Sequence, residues 1–201
     1  MQRVKVCERF VSIQGESSYA GLSCFFIRLT GCNLRCAWCD TPQAFGAGED
    51  VAVDTLIAEA RETAAAMVEV TGGEPLLQDG FASLAGGLRE ACAGPVVVET
   101  NGSGDISRVP GGVTAVVDVK CPGSGEEGAF DVANISRLRA EDELKFVLCD
   151  RADYDWALRF VRGHRLAERC RAVWFSPVHG VLEGCALAEW LVADRPPVRL
   201  Q

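Results

Sequence analysis

The amino-acid sequence predicts an α/β fold: a single-domain partial (β/α) barrel with about six parallel strands. Apolar runs rich in β-branched and aromatic residues alternate with helical stretches along the whole chain, the order expected when helices join parallel strands. Polar motifs follow the ends of several of these runs, and parallel α/β folds build their sites at that edge of the sheet. The length of 201 residues suits one domain, residues 1–201, with a full core.

Six apolar runs are predicted as strands because β-branched and aromatic residues dominate them. They cover residues 22–30, 67–71, 95–100, 113–119, 143–149 and 171–176. Four other stretches have helical periodicity and run over residues 54–66, 80–93, 152–163 and 182–193. Asp54 is expected to cap the first of these helices, since its short carboxylate can accept from free N–H groups. Residues 10–16 are predicted to be a strand that ends in a polar turn.

Charge and hydropathy argue against two classes of partner. The 20 basic and 28 acidic residues give a formal net charge of -8. Broad binding of a polyanion needs an excess of Lys and Arg, so we expect no nucleic-acid partner. The sequence starts without the apolar run of a signal peptide and has no stretch near the roughly 20 apolar residues of a membrane helix. We therefore expect a cytoplasmic protein with no membrane partner.

Three of the ten cysteines, Cys32, Cys36 and Cys39, lie in one loop at C-x3-C-x2-C spacing. The other seven are isolated among apolar residues and are expected to be buried thiols. A closed zinc site usually has four protein ligands, and an electron-carrying iron–sulfur cluster usually has a cysteine on every iron. Three ligands therefore favour a [4Fe-4S] cluster with one iron open to a small molecule. A zinc site completed from elsewhere, or three cysteines acting as small apolar residues, are the alternatives.

Together with Asp-Thr after the last cysteine and with Gly72-Gly73-Glu74-Pro75, the loop resembles that of the radical S-adenosylmethionine (SAM) enzymes. In that superfamily the amino and carboxylate groups of SAM bind the open iron. One electron then splits SAM into methionine and a 5′-deoxyadenosyl radical. The resemblance implies that the cofactors carry the difficult chemistry while the protein orients a C–H bond. It also implies an electron donor such as flavodoxin or ferredoxin.

A second resemblance covers nearly the whole chain. Ser-Ile-Gln-Gly-Glu at residues 12–16 and an Arg-x-x-Gly-Cys stretch leading into the cysteine loop are similar to the 7-carboxy-7-deazaguanine synthases. The same holds for residues 71–75, 99–102, 118–120 and 143–145. That family converts 6-carboxy-5,6,7,8-tetrahydropterin to 7-carboxy-7-deazaguanine with loss of ammonia, in queuosine biosynthesis, using the cluster, SAM and magnesium. The resemblance implies this lyase activity, a pterin substrate and a homodimer.

The resemblance also implies roles for individual residues. Cys32, Cys36 and Cys39 would bind the cluster, and the Thr41 hydroxyl would bind magnesium. Contacts with SAM are implied for Trp38, Asp40, Gly73, Glu74, Asp118, Val119, Lys120, Ser176, Pro177, Val178 and His179. Contacts with the substrate are implied for Ile13, Gln14, Gly15, Glu16, Arg28 and Thr71.

Several of these positions also have an ordinary structural interpretation. Gln14 offers an amide for a pyrimidine edge, or belongs to a solvated turn. Arg28 interrupts an apolar run, and a buried guanidinium needs an acidic partner. We favour a ligand carboxylate as that partner over a structural ion pair. Thr41 is a magnesium ligand or the start of a turn, and Lys120 and Lys145 pair with a ligand or lie at the surface.

Two other functions fit part of the pattern. An activase that generates a glycyl radical on a partner protein uses the same cysteine spacing, but it needs a surface for the partner's glycine loop. A zinc-binding or electron-transferring module needs no substrate pocket. The polar residues 12–16 and Arg28 favour a small-molecule substrate over both.

One difference from the resembled family concerns the C-terminus. The resemblance implies a Thr-His-Lys or Leu-His-Lys tail that closes over the pterin, whereas this sequence ends in Arg199-Leu200-Gln201. Either the tail lies outside this sequence or the pocket is closed in another way.

Overall fold

The computed structural model describes residues 2–201, which are organised around one nine-stranded sheet. The strands are β1 (Arg3–Ile13), β2 (Ser23–Leu29), β3 (Glu49–Ala52), β4 (Met67–Gly72), β5 (Val96–Thr100), β6 (Thr114–Asp118), β7 (Glu143–Leu148), β8 (Ala172–Pro177) and β9 (Arg199–Leu200). Their order is β3-β1-β2-β4-β5-β6-β7-β8-β9. Neighbours from β2 to β9 run parallel, while β1 pairs antiparallel with β2 and β3. The parallel α/β fold is confirmed, with an antiparallel extension at one edge.

The helices within residues 2–201 are α1 (Val53–Glu62), α2 (Phe81–Ala91), α3 (Asn134–Arg137), α4 (Arg151–His164) and α5 (Gly184–Asp194). The four long ones match the four predicted helices. Ala52 is the N-cap of α1, so the predicted capping role of Asp54 is wrong; its carboxylate lies in the first turn, where it favours the helix dipole. The helix ends early because Ala64 has a left-handed backbone with φ of 51°. None of these helices is long and apolar enough to cross a bilayer.

The main core lies between one face of the sheet and the helices. Val70 of β4 and Val98 of β5 are fully buried there, packed in one cluster with Leu56 of α1, Leu84 of α2 and Ala157 of α4. Because side chains alternate along a strand, the residues next to Val70 in β4 and next to Val98 in β5 point to the other face of the sheet. Parallel strands covered on one face by helices therefore leave a second, inner face for a site.

The inner face changes from apolar to polar along the strands. Near the amino ends, Cys24, Met67, Val97 and Val116 form a second small apolar cluster. Two positions further along each of β4 and β5, the same face carries Glu69 and Glu99. The polar half of this face is therefore the half nearest the carboxyl ends of the strands.

The loop between β1 and β2 covers this inner face. The Ser17 N–H donates to Gln201 Oε1 at 2.8 Å, and the Ser18 N–H donates to Glu143 Oε2 at 3.1 Å. The loop thus leaves one side of the sheet and reaches strands on the far side. Such contacts require the sheet to curve around the loop, which is the geometry of a partial barrel.

The isolated cysteines are not all buried as expected. Cys24 and Cys121 are buried, four others are partly exposed, and Cys185 is exposed at the start of α5. The expectation is wrong for Cys185 because the first turn of that helix faces outward. All ten cysteines are free thiols in this structure.

Candidate active site

A cavity of about 630 Å³ opens at the carboxyl edge of the parallel strands. Its walls come from the loops after β2, β4, β5, β6 and β8, and its floor comes from the inner face of the sheet. This volume lies within the usual range of small-molecule sites, roughly 300–1,000 Å³. The fold therefore has a cavity of suitable size at the edge where the sequence predicts the site.

Cys32, Cys36 and Cys39 line one wall of the cavity as partly exposed thiols. Their sulfur atoms do not all lie within 4.8 Å of one another. Thiolates on a single zinc ion would be about 3.8 Å apart, because Zn–S bonds are about 2.3 Å long and tetrahedral. No fourth cysteine from residues 2–201 lines the cavity. Three thiols from one loop are the protein ligands that a [4Fe-4S] cluster with one open iron requires, so the donor set fits such a cluster.

The cysteine loop is anchored to the loop after β6. The Ala37 N–H donates to Ser124 O at 3.0 Å, and the Arg35 N–H donates to Glu126 Oε1 at 2.6 Å. The Arg35 guanidinium also lies 4.2 Å from the centre of the Phe45 ring. These contacts fix the position of the three thiols relative to the sheet.

Gly73 allows the loop after β4 to pass directly under the cysteine loop. A Cβ at this position would overlap the carbonyl oxygen of Gly31 and lie 2.8 Å from Cys32 Cβ. The next residue, Glu74, donates its N–H to the same Gly31 oxygen at 2.7 Å. Only glycine permits this close approach, so Gly73 is part of the support of the cysteine loop.

The Glu74 side chain points away from the cavity, although the resemblance implies a contact with SAM. The carboxylate is fully buried and accepts hydrogen bonds from three groups: Leu76 N, Thr100 Oγ1 and Asn101 N. Burial raises the pKa of Glu74, and these hydrogen bonds oppose that rise. With its oxygens used in this way, the carboxylate holds loops together and does not reach a ligand.

Two cations and four carboxylates lie in and beside the floor of the cavity. Lys145 Nζ lies 2.5 Å from Glu16 Oε2 and 3.2 Å from Glu99 Oε1. Nearby, Glu69 accepts a hydrogen bond from the Gln14 side-chain amide. The second cation is Lys120, which is described with its own partner below. The floor is therefore a network of paired groups and not a bare patch of charge.

The environment drives the pKa values of the two floor glutamates in opposite directions. Burial would raise the pKa of Glu99, but Lys145 and hydrogen bonds from Lys145 and Thr71 outweigh it, so that pKa is lowered. Burial, followed by the charge of Glu99, raises the pKa of Glu69 well above its usual value. Burial would lower the pKa of Lys145, but its acidic neighbours raise it well above the usual value. The surroundings of the floor therefore favour a charged Lys145–Glu99 pair and favour the protonated form of Glu69.

Arg28 takes part in an ion pair and also lines the cavity. Its Nε lies 2.7 Å from Glu8 Oε1, on the residue directly opposite in the β1–β2 register. The two terminal nitrogens of the guanidinium make no hydrogen bond within residues 2–201. Both interpretations of Arg28 are therefore compatible with this geometry: a structural pair exists, and donors remain for a ligand.

Most of the other residues implied by the resemblance also line the cavity. They are Gln14, Glu16, Trp38, Asp40, Thr41, Thr71, Gly73, Asp118, Lys120, Ser176, Pro177, Val178 and His179. Lys120 Nζ lies 2.7 Å from Asp118 Oδ2, whereas Asp118 Oδ1 is buried without a hydrogen-bond partner within residues 2–201. An orphaned carboxylate oxygen in a cavity wall is a candidate acceptor for a ligand.

Besides Glu74, three of the implied contact residues do not line the cavity: Ile13, Gly15 and Val119. The Ile13 side chain is 61% exposed, because strand alternation turns it away from Gln14. Val119 is buried in the main core between Asp118 and Lys120, which point the other way. For these positions the resemblance identifies the right segment, and the alternation of side chains decides which members face the cavity.

Several cavity residues were given no role in the sequence analysis, among them Glu69, Glu99 and Asn101. Asn101 Nδ2 donates to Asn33 Oδ1 at 3.1 Å and lies 4.0 Å from Cys32 Sγ. The two glutamates each interrupt an otherwise apolar strand. A lone carboxylate inside a buried run needs a special environment, and that signal was available in the sequence.

A comparison with protein families indicates the class of enzyme to which this fold and site belong. Residues 26–109 match the model of the radical SAM superfamily. These residues contain the cysteine loop, the two glycines after β4 and Asn101. Together with the three-thiol wall, the match identifies the chain as a radical SAM enzyme, which uses a [4Fe-4S] cluster and SAM.

Similar proteins narrow the class to one family. The 7-carboxy-7-deazaguanine synthase of Koribacter versatilis is 42% identical, over 98% of this chain and 93% of its own length. That of Chlorobaculum tepidum is 42% identical, over 98% of this chain and 90% of its own length. This chain therefore belongs to the 7-carboxy-7-deazaguanine synthase family, the radical SAM lyases of queuosine biosynthesis, which also use magnesium.

Solved structures share the fold. The crystal structure of QueE from Escherichia coli has a TM-score of 0.79 at 22% identity and covers 99% of this chain and 94% of that one. SuiB of Streptococcus suis bound to S-adenosylmethionine has a TM-score of 0.60 at 12% identity, covering 85% of this chain and 47% of that one. At these identities the likeness supports the architecture of the sheet and its loops.

The contact under the cysteine loop can be tested with Gly73→Ala. The added methyl group must displace Gly31 or Cys32, and such overpacking destabilises proteins by about 1–3 kcal/mol. We expect lower iron and sulfide content after anaerobic reconstitution and a lower midpoint of urea unfolding. Gly128→Ala is the control, since a Cβ there meets nothing within 4 Å. Equal iron content in the two variants would contradict the proposed support.

Proposed function

We propose that this cavity is where the chain converts 6-carboxy-5,6,7,8-tetrahydropterin to 7-carboxy-7-deazaguanine with loss of ammonia. The observation that carries the proposal is that one cavity of about 630 Å³ joins the three-thiol loop to the polar floor. The relatives named above carry the name of this activity. The cluster and SAM, when bound, would supply a 5′-deoxyadenosyl radical, and the residues of the chain bind and orient the reactants.

The wall near the cysteine loop is the proposed SAM site. Cys32, Cys36 and Cys39 would hold the cluster, while Trp38, Asp40, Gly73, Asp118, Lys120 and residues 176–179 would surround SAM. Two features support this division. Asp118 lines this wall and has a buried oxygen without a hydrogen-bond partner within residues 2–201, and the Gly73 backbone lies under Cys32 with no side chain in the way.

The floor and Arg28 form the proposed substrate site. The free nitrogens of Arg28 can bind the substrate carboxylate, and Thr71 and Glu16 lie on the same cavity. Gln14 has a different role from the one expected. Its side-chain oxygen accepts from the Glu16 N–H, its side-chain amide donates to Glu69, and its backbone pairs with Leu22 and Gly21. We therefore propose that Gln14 shapes the floor and that the glutamates it holds face the pterin ring.

Three further proposals rest on the family alone. An electron donor reduces the cluster, and flavodoxin or ferredoxin is the proposed donor. The active assembly is a homodimer. Residues 1–201 act as one domain, in keeping with the single continuous sheet that spans the residues described here.

The function is tested by an anaerobic assay with dithionite, SAM, magnesium and 6-carboxy-5,6,7,8-tetrahydropterin. We expect the deazaguanine product, detected by mass spectrometry, and one four-iron cluster per chain by iron and sulfide analysis. The triple variant with Cys32, Cys36 and Cys39 replaced by alanine is the control and should form no product. Wild-type protein that holds the cluster and cleaves SAM without forming this product would refute the proposed substrate.

The role of Arg28 is tested by comparing Arg28→Ala with Glu8→Gln. Both changes break the ion pair between the two residues, but only the first removes the cation that lines the cavity. We expect Arg28→Ala to raise the KM for the pterin at least tenfold, since a charged pair in a desolvated site contributes about 2 kcal/mol or more. Glu8→Gln should leave that KM nearly unchanged. Equal effects of the two variants would make Arg28 a purely structural residue.

The proposed magnesium ligand is tested with Thr41→Val, which keeps the side-chain shape and removes the oxygen. The hydroxyl lies 3.9 Å from Cys39 Sγ on the cavity wall, and magnesium prefers hard oxygen donors with several waters. We expect weaker magnesium stimulation of turnover with unchanged iron content. Thr55→Val on the exposed side of α1 is the control. A magnesium titration of Thr41→Val that overlays that of the wild type would move the metal site elsewhere.

A further inference from the structure

Glu69 is a buried acidic residue to which none of the roles above gives a chemical step. It lies in the middle of β4 on the inner face of the sheet, is only 3% exposed, and lines the cavity floor. A carboxyl group in such a place is normally paired with a cation or bound through both oxygens. Glu69 has one hydrogen bond, from the Gln14 amide. Its second oxygen, Oε1, has no partner within residues 2–201.

The orientation of the Gln14 amide fixes which oxygen of Glu69 is free. The backbone N–H of Glu16 can only donate, and it lies 3.0 Å from Gln14 Oε1. The Gln14 amide nitrogen therefore faces Glu69, where it donates to Oε2. A proton on Glu69 must then be on Oε1, the oxygen without a protein partner.

The cation with the largest effect on the pKa of Glu69 is Lys145, and it is already paired with other carboxylates. Lys145 Nζ lies within 3.2 Å of Glu99 and within 2.5 Å of Glu16, and it makes no ion pair with Glu69. The titratable groups facing Glu69 are Glu99 on β5, Lys145 on β7, Glu16 in the β1–β2 loop and the Cys24 thiol on β2. Three adjacent carboxyl groups share this one lysine, which favours retention of a proton among them, and burial raises the pKa of Glu16 as well as that of Glu69. Lys145 contacts the other two directly, so Glu69 is the carboxyl group of the three that has no cation at ion-pair distance and is the one most favoured to stay protonated.

We propose that Glu69 is the general acid that protonates the nitrogen released as ammonia. This rests on the proposed function, because it assigns a step of that reaction. The geometry carries it: a carboxylic acid on the cavity floor has its acidic oxygen free, and its amide partner holds it in place. The raised pKa of Glu69, caused by burial and by the charge of Glu99, agrees with this assignment.

The step balances without an added oxidant or reductant. The C–N bond breaks with its electron pair staying on nitrogen, and that nitrogen takes the proton from Glu69 Oε1. Glu69 is left as a carboxylate. A proton released from the ring carbons, as the new five-membered ring becomes aromatic, returns to Glu69 and restores the acid. Loss of one ammonia molecule accounts for the whole difference between substrate and product.

The test compares Glu69→Gln with the wild type. The amide keeps the size and the hydrogen bonding of the side chain but has no acidic proton. We expect kcat to fall about 100-fold or more with little change in KM, the usual range for loss of a general acid. The wild-type kcat should fall at high pH as Glu69 loses its proton, and the variant should lack that fall. Glu90→Gln, on the exposed side of α2 and outside the cavity, is the control and should keep wild-type kcat.

A second measurement does not depend on turnover. The infrared difference spectrum between wild type and Glu69→Gln at neutral pH should show the carbonyl stretch of a protonated carboxylic acid in the wild type. Its absence would overturn the proposal even if the enzyme is active. A normal kcat and an unchanged pH profile in Glu69→Gln would also overturn it, while leaving the proposed function intact. Wild-type protein that forms no deazaguanine would refute both.

Discussion

The buried carboxylate of Glu74 is the interaction on which the geometry of the cavity wall depends. Its oxygens accept from Leu76 N at 3.0 Å, Thr100 Oγ1 at 2.7 Å and Asn101 N at 2.7 Å. These bonds tie the loop after β4 to the loop after β5. Both loops contact the cysteine loop, the first through Glu74 N and Gly73 and the second through Asn101. Removing the carboxylate would leave three buried donors unpaired, so the thiol positions depend on an acid that touches no ligand.

The cations that line the cavity all have carboxylate partners before any ligand binds. Lys120 pairs with Asp118, Lys145 with Glu99 and Glu16, and Arg28 with Glu8. Such pairing lowers the cost of holding charge in a partly desolvated site. It also limits what a ligand carboxylate can bind without breaking a pair. Arg28 satisfies that limit best, since its pair uses Nε and its terminal nitrogens remain available. Charge pairing therefore singles out Arg28 where charge alone would not.

Much of the fold follows from the sequence because the parallel strands are buried on both faces. Such strands are near-continuous apolar runs, and all six predicted runs are strands in the structure. The edge strands were missed or predicted only in part because they are short or are exposed on one side. β3 and β9 have only four and two residues, and β1 alternates polar and apolar residues because one side of it is largely exposed. Local pattern identifies buried parallel strands well and short edge strands poorly.

The site was predicted less completely than the fold. The direction in which a side chain points and the partner that it contacts both depend on tertiary structure. The cysteine loop and Gly73 follow from motif and spacing. The floor does not: sequence neighbours such as Ile13 and Gln14 point to opposite sides, and Glu69 meets Gln14 from 55 positions away. The amide of Gln14 looked free for a ligand in the sequence, but the fold uses both ends of it. Which polar groups remain free can be learned only once the strands are paired.

The β1–β2 loop contributes both to the cavity floor and to the closure of the partial barrel. Ser17 adopts a left-handed backbone with φ of 62°, which costs about 1 kcal/mol for a residue with a Cβ. Bonds from Ser17 N to Gln201 and from Ser18 N to Glu143 offset that strain by tying the loop to the far strands. The same loop brings Glu16 to Lys145, and the Gln14 amide fixes the approach. Because these bonds share one short segment, a change that loosens the loop must also disturb the charge balance around Lys145, and with it the proton on Glu69.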